Sequence, residues 1–185
     1  MAYDPEVHHR RSIRLQGYDY HRAGVYFVTI CSHNRACLFG EVDGEMRLND
    51  AGRMVERWFL ELNRKFERVE TDTYIVMPDH LHGIVVLGNS PLGATDLPFC
   101  LGSDDDQRSV LGVALPTMVQ WLKTMTTNEY IRGIKQERWP SFLGRLWQRG
   151  YFEHVVRDED DLAQIRQYIV DNPTNWGLDR ESKRM

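Results

Sequence analysis

His80 and His82 stand two residues apart in Tyr74-Ile-Val-Met-Pro-Asp-His-Leu-His-Gly-Ile-Val-Val-Leu87, a stretch rich in β-branched and apolar residues. Successive strand side chains point to opposite faces, so residues i and i+2 share one. The spacing predicts two imidazoles side by side and partly exposed, with Leu81 packed on the other face. Two neighbouring nitrogen donors on a rigid strand make half a metal site. A third ligand and a reacting group must come from elsewhere, and Arg166-Gln-Tyr-Ile-Val-Asp-Asn-Pro173 offers both. Tyr168 supplies a nucleophilic oxygen. Asn172, four residues on, shares its helix face and carries an amide oxygen. The plainer reading makes Tyr168 a core-edge aromatic and Asn172 a helix C-cap or turn residue.

The elements that must position these groups follow from periodicity. Gly24 to His33 reads as a first strand, and Leu38 to Leu48 as a hairpin turning at Asp43-Gly44. Asn49 or Asp50 caps a helix reaching about Phe66, with Met54, Val55, Trp58, Phe59 and Leu62 at helical spacing. Tyr74 to Met77 and His80 to Leu87 are extended, and Pro78 argues for an interruption between them. Residues 88–109, with three glycines, two prolines and Asp104-Asp105-Asp106, read as a long irregular loop. A helix follows from Val110 or Pro116 to Ile131, with Val119, Leu122, Met125 and Tyr130 on its buried side. Gly144 to His154 is extended or irregular. A last helix opens near Asp158, with acids at the positive end of its dipole, and should end at Pro173. This order predicts an α+β fold, a ferredoxin-like antiparallel sheet with helices on one face. A single domain is expected over residues 1–185, with an arm at 1–22.

Composition narrows the function classes. At 185 residues, 42% hydrophobic and 27% charged, the chain has an ordinary globular balance. No apolar run suits a membrane span or a signal peptide. The three cysteines, Cys31, Cys37 and Cys100, lack C-x-x-C spacing and read as reduced thiols, which points to a cytoplasmic protein. The net charge of −4 gives no global nucleic-acid signal. Locally, Arg132, Lys135, Arg138, Arg145 and Arg149 interleave with Trp139, Phe142 and Trp147. That pattern suits a groove tracking a nucleic-acid backbone with stacking platforms for unpaired bases. A solvated face with core aromatics fits it as well. Arg10, Arg11 and Arg14 could form an arm contacting phosphates.

Three segments together resemble a family: Met77-Pro-Asp-His-Leu-His-Gly-Ile84, Leu146-Trp-Gln-Arg-Gly-Tyr-Phe-Glu-His-Val-Val-Arg157 and Gln167-Tyr-Ile-Val-Asp-Asn-Pro173. They look like the IS200-like tyrosine transposases of the HUH type, and most like the REP-associated subgroup. Arg10-Arg-Ser-Ile-Arg-Leu-Gln-Gly-Tyr-Asp-Tyr20 and Tyr26-Phe-Val-Thr-Ile-Cys31 fit the same pattern. The resemblance implies His80 and His82 as paired metal ligands, Tyr168 as nucleophile and Asn172 as third ligand, where relatives often have glutamine. Tyr151 is the competing nucleophile. The implied cofactor is Mg²⁺ or Mn²⁺, although imidazoles also suit zinc, cobalt or nickel. The implied partner is single-stranded or hairpin DNA, gripped by Arg132, Lys135, Arg138, Arg145, Trp147 and Arg149. The implied reaction is transesterification through a 5′-phosphotyrosine link, by a monomer or homodimer. A DNA-binding module without strand transfer and a water-using phosphodiesterase are the competing readings.

Overall fold

In a computed structural model, the protein is described over residues 18–88 and 113–182, with side chains as far as Trp176. Four antiparallel strands make the main sheet: β1 (Gly24–Cys31), β4 (Val69–Met77), β5 (His80–Leu87) and β6 (Phe152–Val155), in the order β4-β5-β1-β6. A separate hairpin, β2 (Gly40–Asp43) with β3 (Glu45–Leu48), turns at Gly44, whose φ of +72° favours glycine. The helices are α1 (Asp50–Leu60), its short continuation α2 (Leu62–Lys65), α3 (Leu115–Gln136) and α4 (Glu159–Ser182). Leaving the hairpin aside, the order β1-α1-β4-β5-α3-β6 with this strand arrangement is the expected ferredoxin-like fold.

Local chemistry explains the boundaries. The Asn49 side chain accepts from Gly52 N at 2.9 Å and opens α1. Pro116 falls in the first turn of α3, where a missing N–H costs nothing. Pro78 and Asp79 form the two-residue turn between β4 and β5, and the Pro78 carbonyl accepts from Leu38 N and Phe39 N. Asp158 Oδ1 accepts from Asp161 N at 2.8 Å and caps α4.

Alternate residues of each strand feed two cores. On one face Tyr26, Val28, Ile30, Val76, Leu81 and Val85 pack beneath α1 and α3, against Met54, Val55, Phe59, Met118 and Leu122. On the other, Val25, Phe27, Ile84 and Val86 pack against Leu162, Ile165 and Ile169 of α4. The crossover helices share a face as expected, but the C-terminal helix covers the opposite one. This corrects the one-face expectation, and the physical reason lies in the strands. Both faces of β5 are buried, so each needs a covering layer.

A second correction concerns Pro173, which lies inside α4 rather than ending it. Proline removes one helical hydrogen bond, a cost tertiary packing can offset. The turn beyond it lays Trp176 over the ring of His80, with centroids 5.8 Å apart. Residues 1–17 and 89–112, which contain Arg10, Arg11, Arg14 and most of the expected loop, lie outside the described residues. The end of the expected arm is packed, since Tyr20 is buried and its hydroxyl bonds Glu153.

Candidate active site

β5 carries the histidines at its first and third positions, facing α4. Gly83 follows them on the reverse face, where a Cβ would meet Phe59 Cζ at 2.4 Å, so the glycine lets α1 press against the strand behind the site. Both histidines are buried, each 4% exposed, in contrast to the partial exposure expected of them. The C-terminal helix lies over them.

Each imidazole is held from behind and presents the same nitrogen. His80 Nδ1–H donates to Asp79 Oδ1 at 2.6 Å. His82 Nδ1 meets Thr29 Oγ1 at 2.8 Å, across the strand pair that sets Thr29 opposite His82. The two Nε2 atoms face each other at 2.9 Å, a separation that two donors take around a shared proton or cation. Burial, then the charges of His80 and Arg35, push His82 down to about 2, which keeps its imidazole neutral with a lone pair to offer.

α4 delivers three side chains at four-residue spacing. Tyr168 is half exposed at 48%, its hydroxyl 3.4 Å from His82 Nε2 and its ring edge-on to His82 and Phe27. Trp176 stacks on His80. Asn172 lies between them on the same helix face and is 6% exposed. Among the described residues no group of three or more His, Cys, Asp and Glu could hold a metal. A three-ligand centre among them therefore needs a donor of another type.

Other expected site residues fall elsewhere. Trp147 is a correction: it is 5% exposed, its Nε1 donates to Thr126 Oγ1 at 2.8 Å and its ring packs on Phe39, so no base can stack on it. Arg132, Lys135 and Arg138 lie along or just beyond the C-terminal part of α3, on the side of the sheet away from Tyr168. Arg145 and Arg149 line an open groove of about 480 Å³ between α3 and the chain leading to β6. Tyr151 packs against the α1/α3 core beneath the Lys123 ammonium, 5.7 Å from its ring centre, and the structure does not bring it to the histidines. His154, which had no role in the sequence, bonds Asp161 at 2.8 Å and ties β6 to α4. Sequence reasoning missed Thr29, Asp79, Arg35 and Trp176. The Asp79-His80 dipeptide was the one visible signal among them.

The fold and this arrangement define a class: a ferredoxin-like sheet whose central strand carries a His-x-His pair, faced by a tyrosine from a C-terminal helix. The comparisons with known proteins agree with the fold. A Haemophilus influenzae protein of uncharacterised function is 36% identical over 179 residues, 96% of each chain. Another H. influenzae protein, provisionally named a REP-associated tyrosine transposase, is 25% identical over 86% of this chain and 75% of its own. A REP-associated tyrosine transposase solved bound to a REP hairpin has the same fold, with a TM-score of 0.56 at 19% identity over 89% of this chain and 74% of that one. No protein-family model matches. The chain belongs to the family of the first H. influenzae protein and is a distant relative of the REP-associated, IS200-like tyrosine transposases. Among the described residues no helix is long and apolar enough to cross a membrane.

Proposed function

We propose that this protein is a metal-dependent single-stranded DNA endonuclease and strand transferase with Tyr168 as its nucleophile, acting at hairpin DNA. The observation that carries the reading is the convergence within one chain of the Tyr168 hydroxyl, 3.4 Å from His82 Nε2, on two imidazole nitrogens 2.9 Å apart. The relationship to the tyrosine transposases supports the substrate class.

His80, His82 and Asn172 would hold the cation. Two imidazoles and an amide oxygen are a donor set that would take Mn²⁺ or Mg²⁺, and zinc, cobalt or nickel as well. Asp79 and Thr29 fix the rings so that both Nε2 lone pairs point forward. A bound Mg²⁺ or Mn²⁺ would polarise the scissile phosphate and neutralise charge in the transition state. The Tyr168 oxygen attacks phosphorus in line as the bond to O3′ breaks. The phenol gives up its proton to solvent at its exposed side, and the departing O3′ takes a proton from solvent to become the 3′-OH. The 5′-phosphotyrosine link conserves the phosphodiester for rejoining to another 3′-OH. Because Tyr168 meets the histidines of its own chain, one monomer suffices for the site.

The test pairs Mn²⁺ titration with cleavage of a single-stranded hairpin oligonucleotide, for the wild type and for His80→Ala/His82→Ala. The double variant is expected to lose both Mn²⁺ binding and cleavage. It should stay folded while losing about 1–3 kcal/mol, since Asp79 is left buried without its imidazole. Cleavage that persists in the double variant would sink the reading.

A further inference from the structure

The cations expected to grip DNA lie on the α3 side of the sheet, whereas the His pair and Tyr168 lie beneath α4. Arg35 reaches the catalytic side by another route. Its Nε forms an ion pair with Asp79 Oδ2 at 3.0 Å, and its Nη1 donates to Cys31 Sγ at 2.9 Å. Asp79 is the residue that holds His80, and Cys31 lies opposite His80 in the strand register. These contacts engage Nε and Nη1, on two different sides of the guanidinium. Nη2 has no partner among the described residues, and the side chain is 39% exposed.

The backbone around Arg35 is unusual. Asn34 and Arg35 both have left-handed φ, +55° and +54°, a conformation that costs roughly 1 kcal/mol or more for each non-glycine residue. The turn is held by its surroundings: Ser32 Oγ donates to the Ala36 carbonyl, and His33 N donates to the Leu146 carbonyl, both at 2.8 Å. Neutralising Asp79 would need only a point charge, which a lysine provides. A guanidinium held at Nε and Nη1, with Nη2 left over and a partly exposed side chain, has one donor group to offer a second anion.

We propose that Arg35 binds a backbone phosphate of the DNA strand next to the scissile one, with Asp79 as its brace. This rests on the DNA-cleaving reading above. The guanidinium sits one carboxylate and one imidazole behind the Nε2 edge, which places it at a neighbouring phosphate rather than the one under attack. Arg35 thus couples two tasks: it fixes the carboxylate that orients His80, and it registers the strand over the site.

The experiment measures binding of a fluorescent hairpin oligonucleotide with single-stranded flanks across a salt series. The wild type, Arg35→Gln and Arg35→Lys are compared. One phosphate contact is worth a slope of about 0.7 to 0.9 in the log–log salt plot. Arg35→Gln is expected to lose about that much slope, and Arg35→Lys, whose point charge serves Asp79 alone, to lose most of it while keeping the thermal stability of the wild type. A merely structural brace would lower thermal stability or Mn²⁺ affinity and leave the slope alone, which would overturn the proposal. Wild-type protein provides a check that does not depend on how the variants fold. A neutral methylphosphonate next to the cleavage position should reduce the slope equally, and no effect at any flanking position would overturn the proposal. If the wild type shows no salt-dependent DNA binding, the DNA-cleaving reading falls with it. If it binds DNA and Arg35→Gln changes nothing, only the role of Arg35 falls.

Discussion

The face of the sheet beneath α1 and α3 and the face beneath α4 are built from alternate residues of the same strands, yet they do different work. In β5, Leu81, Val85 and Leu87 face the first helical layer, which also receives Phe59, Met118, Leu122 and the aromatic cluster around Trp147. His80, His82, Ile84 and Val86 face α4, where a smaller apolar cluster gives way at one end to the histidines, Tyr168 and Trp176. Stability is concentrated on one face and chemistry on the other. A rigid first face lets the second hold two imidazole nitrogens 2.9 Å apart while leaving Tyr168 half exposed.

The largest stability effect should come from the first face. Phe59→Ala removes the ring packed on Gly83 directly behind the histidines and is expected to cost about 3–5 kcal/mol in denaturant unfolding. A loss below about 1 kcal/mol would show that the first face does not carry the fold.

A smaller effect is expected where α4 meets the sheet edge. Arg166 grips Asp72 beside the bulge between Thr71 and Tyr74 in β4. Burial raises the Asp72 carboxyl, but hydrogen bonds from Arg166 and Thr73 outweigh it and hold the group below the usual carboxylate range. A depressed folded-state value stabilises the protein above the unfolded value of about 3.9, and that contribution disappears as pH falls through the folded value. Asp72→Asn should therefore cost about 1 kcal/mol near neutrality, discounted for the exposure of Arg166. The gap from wild type should close on acidification below about pH 4. A gap that stays constant with pH would show that the ion pair does not fasten α4.

What the sequence revealed, and what it hid, follows the same division. The His pair was legible because strand alternation is local, and Tyr168 with Asn172 because helical spacing is local. The ferredoxin-like order was legible from the succession of apolar patterns. Thr29 was not, because it meets His82 only through the register of β1 on β5, which no local pattern specifies. Trp176 was hidden behind Pro173, where the local rule for proline yields to packing against His80. The placement of α4 on the second face required knowing that β5 is buried on both sides. Trp147 was legible as an aromatic among cations, but only the structure separates a core tryptophan from a stacking platform.

The central claim is that Tyr168, and not the Tyr151 of the opposite face, is the group that bonds to DNA. The most direct measurement incubates the protein with labelled single-stranded hairpin DNA and Mn²⁺, then resolves the products by denaturing electrophoresis and maps the linked peptide by mass. The expected result is a covalent adduct on the peptide containing Tyr168, absent from Tyr168→Phe. An adduct on Tyr151, or cleavage by Tyr168→Phe at the wild-type rate, would contradict the account.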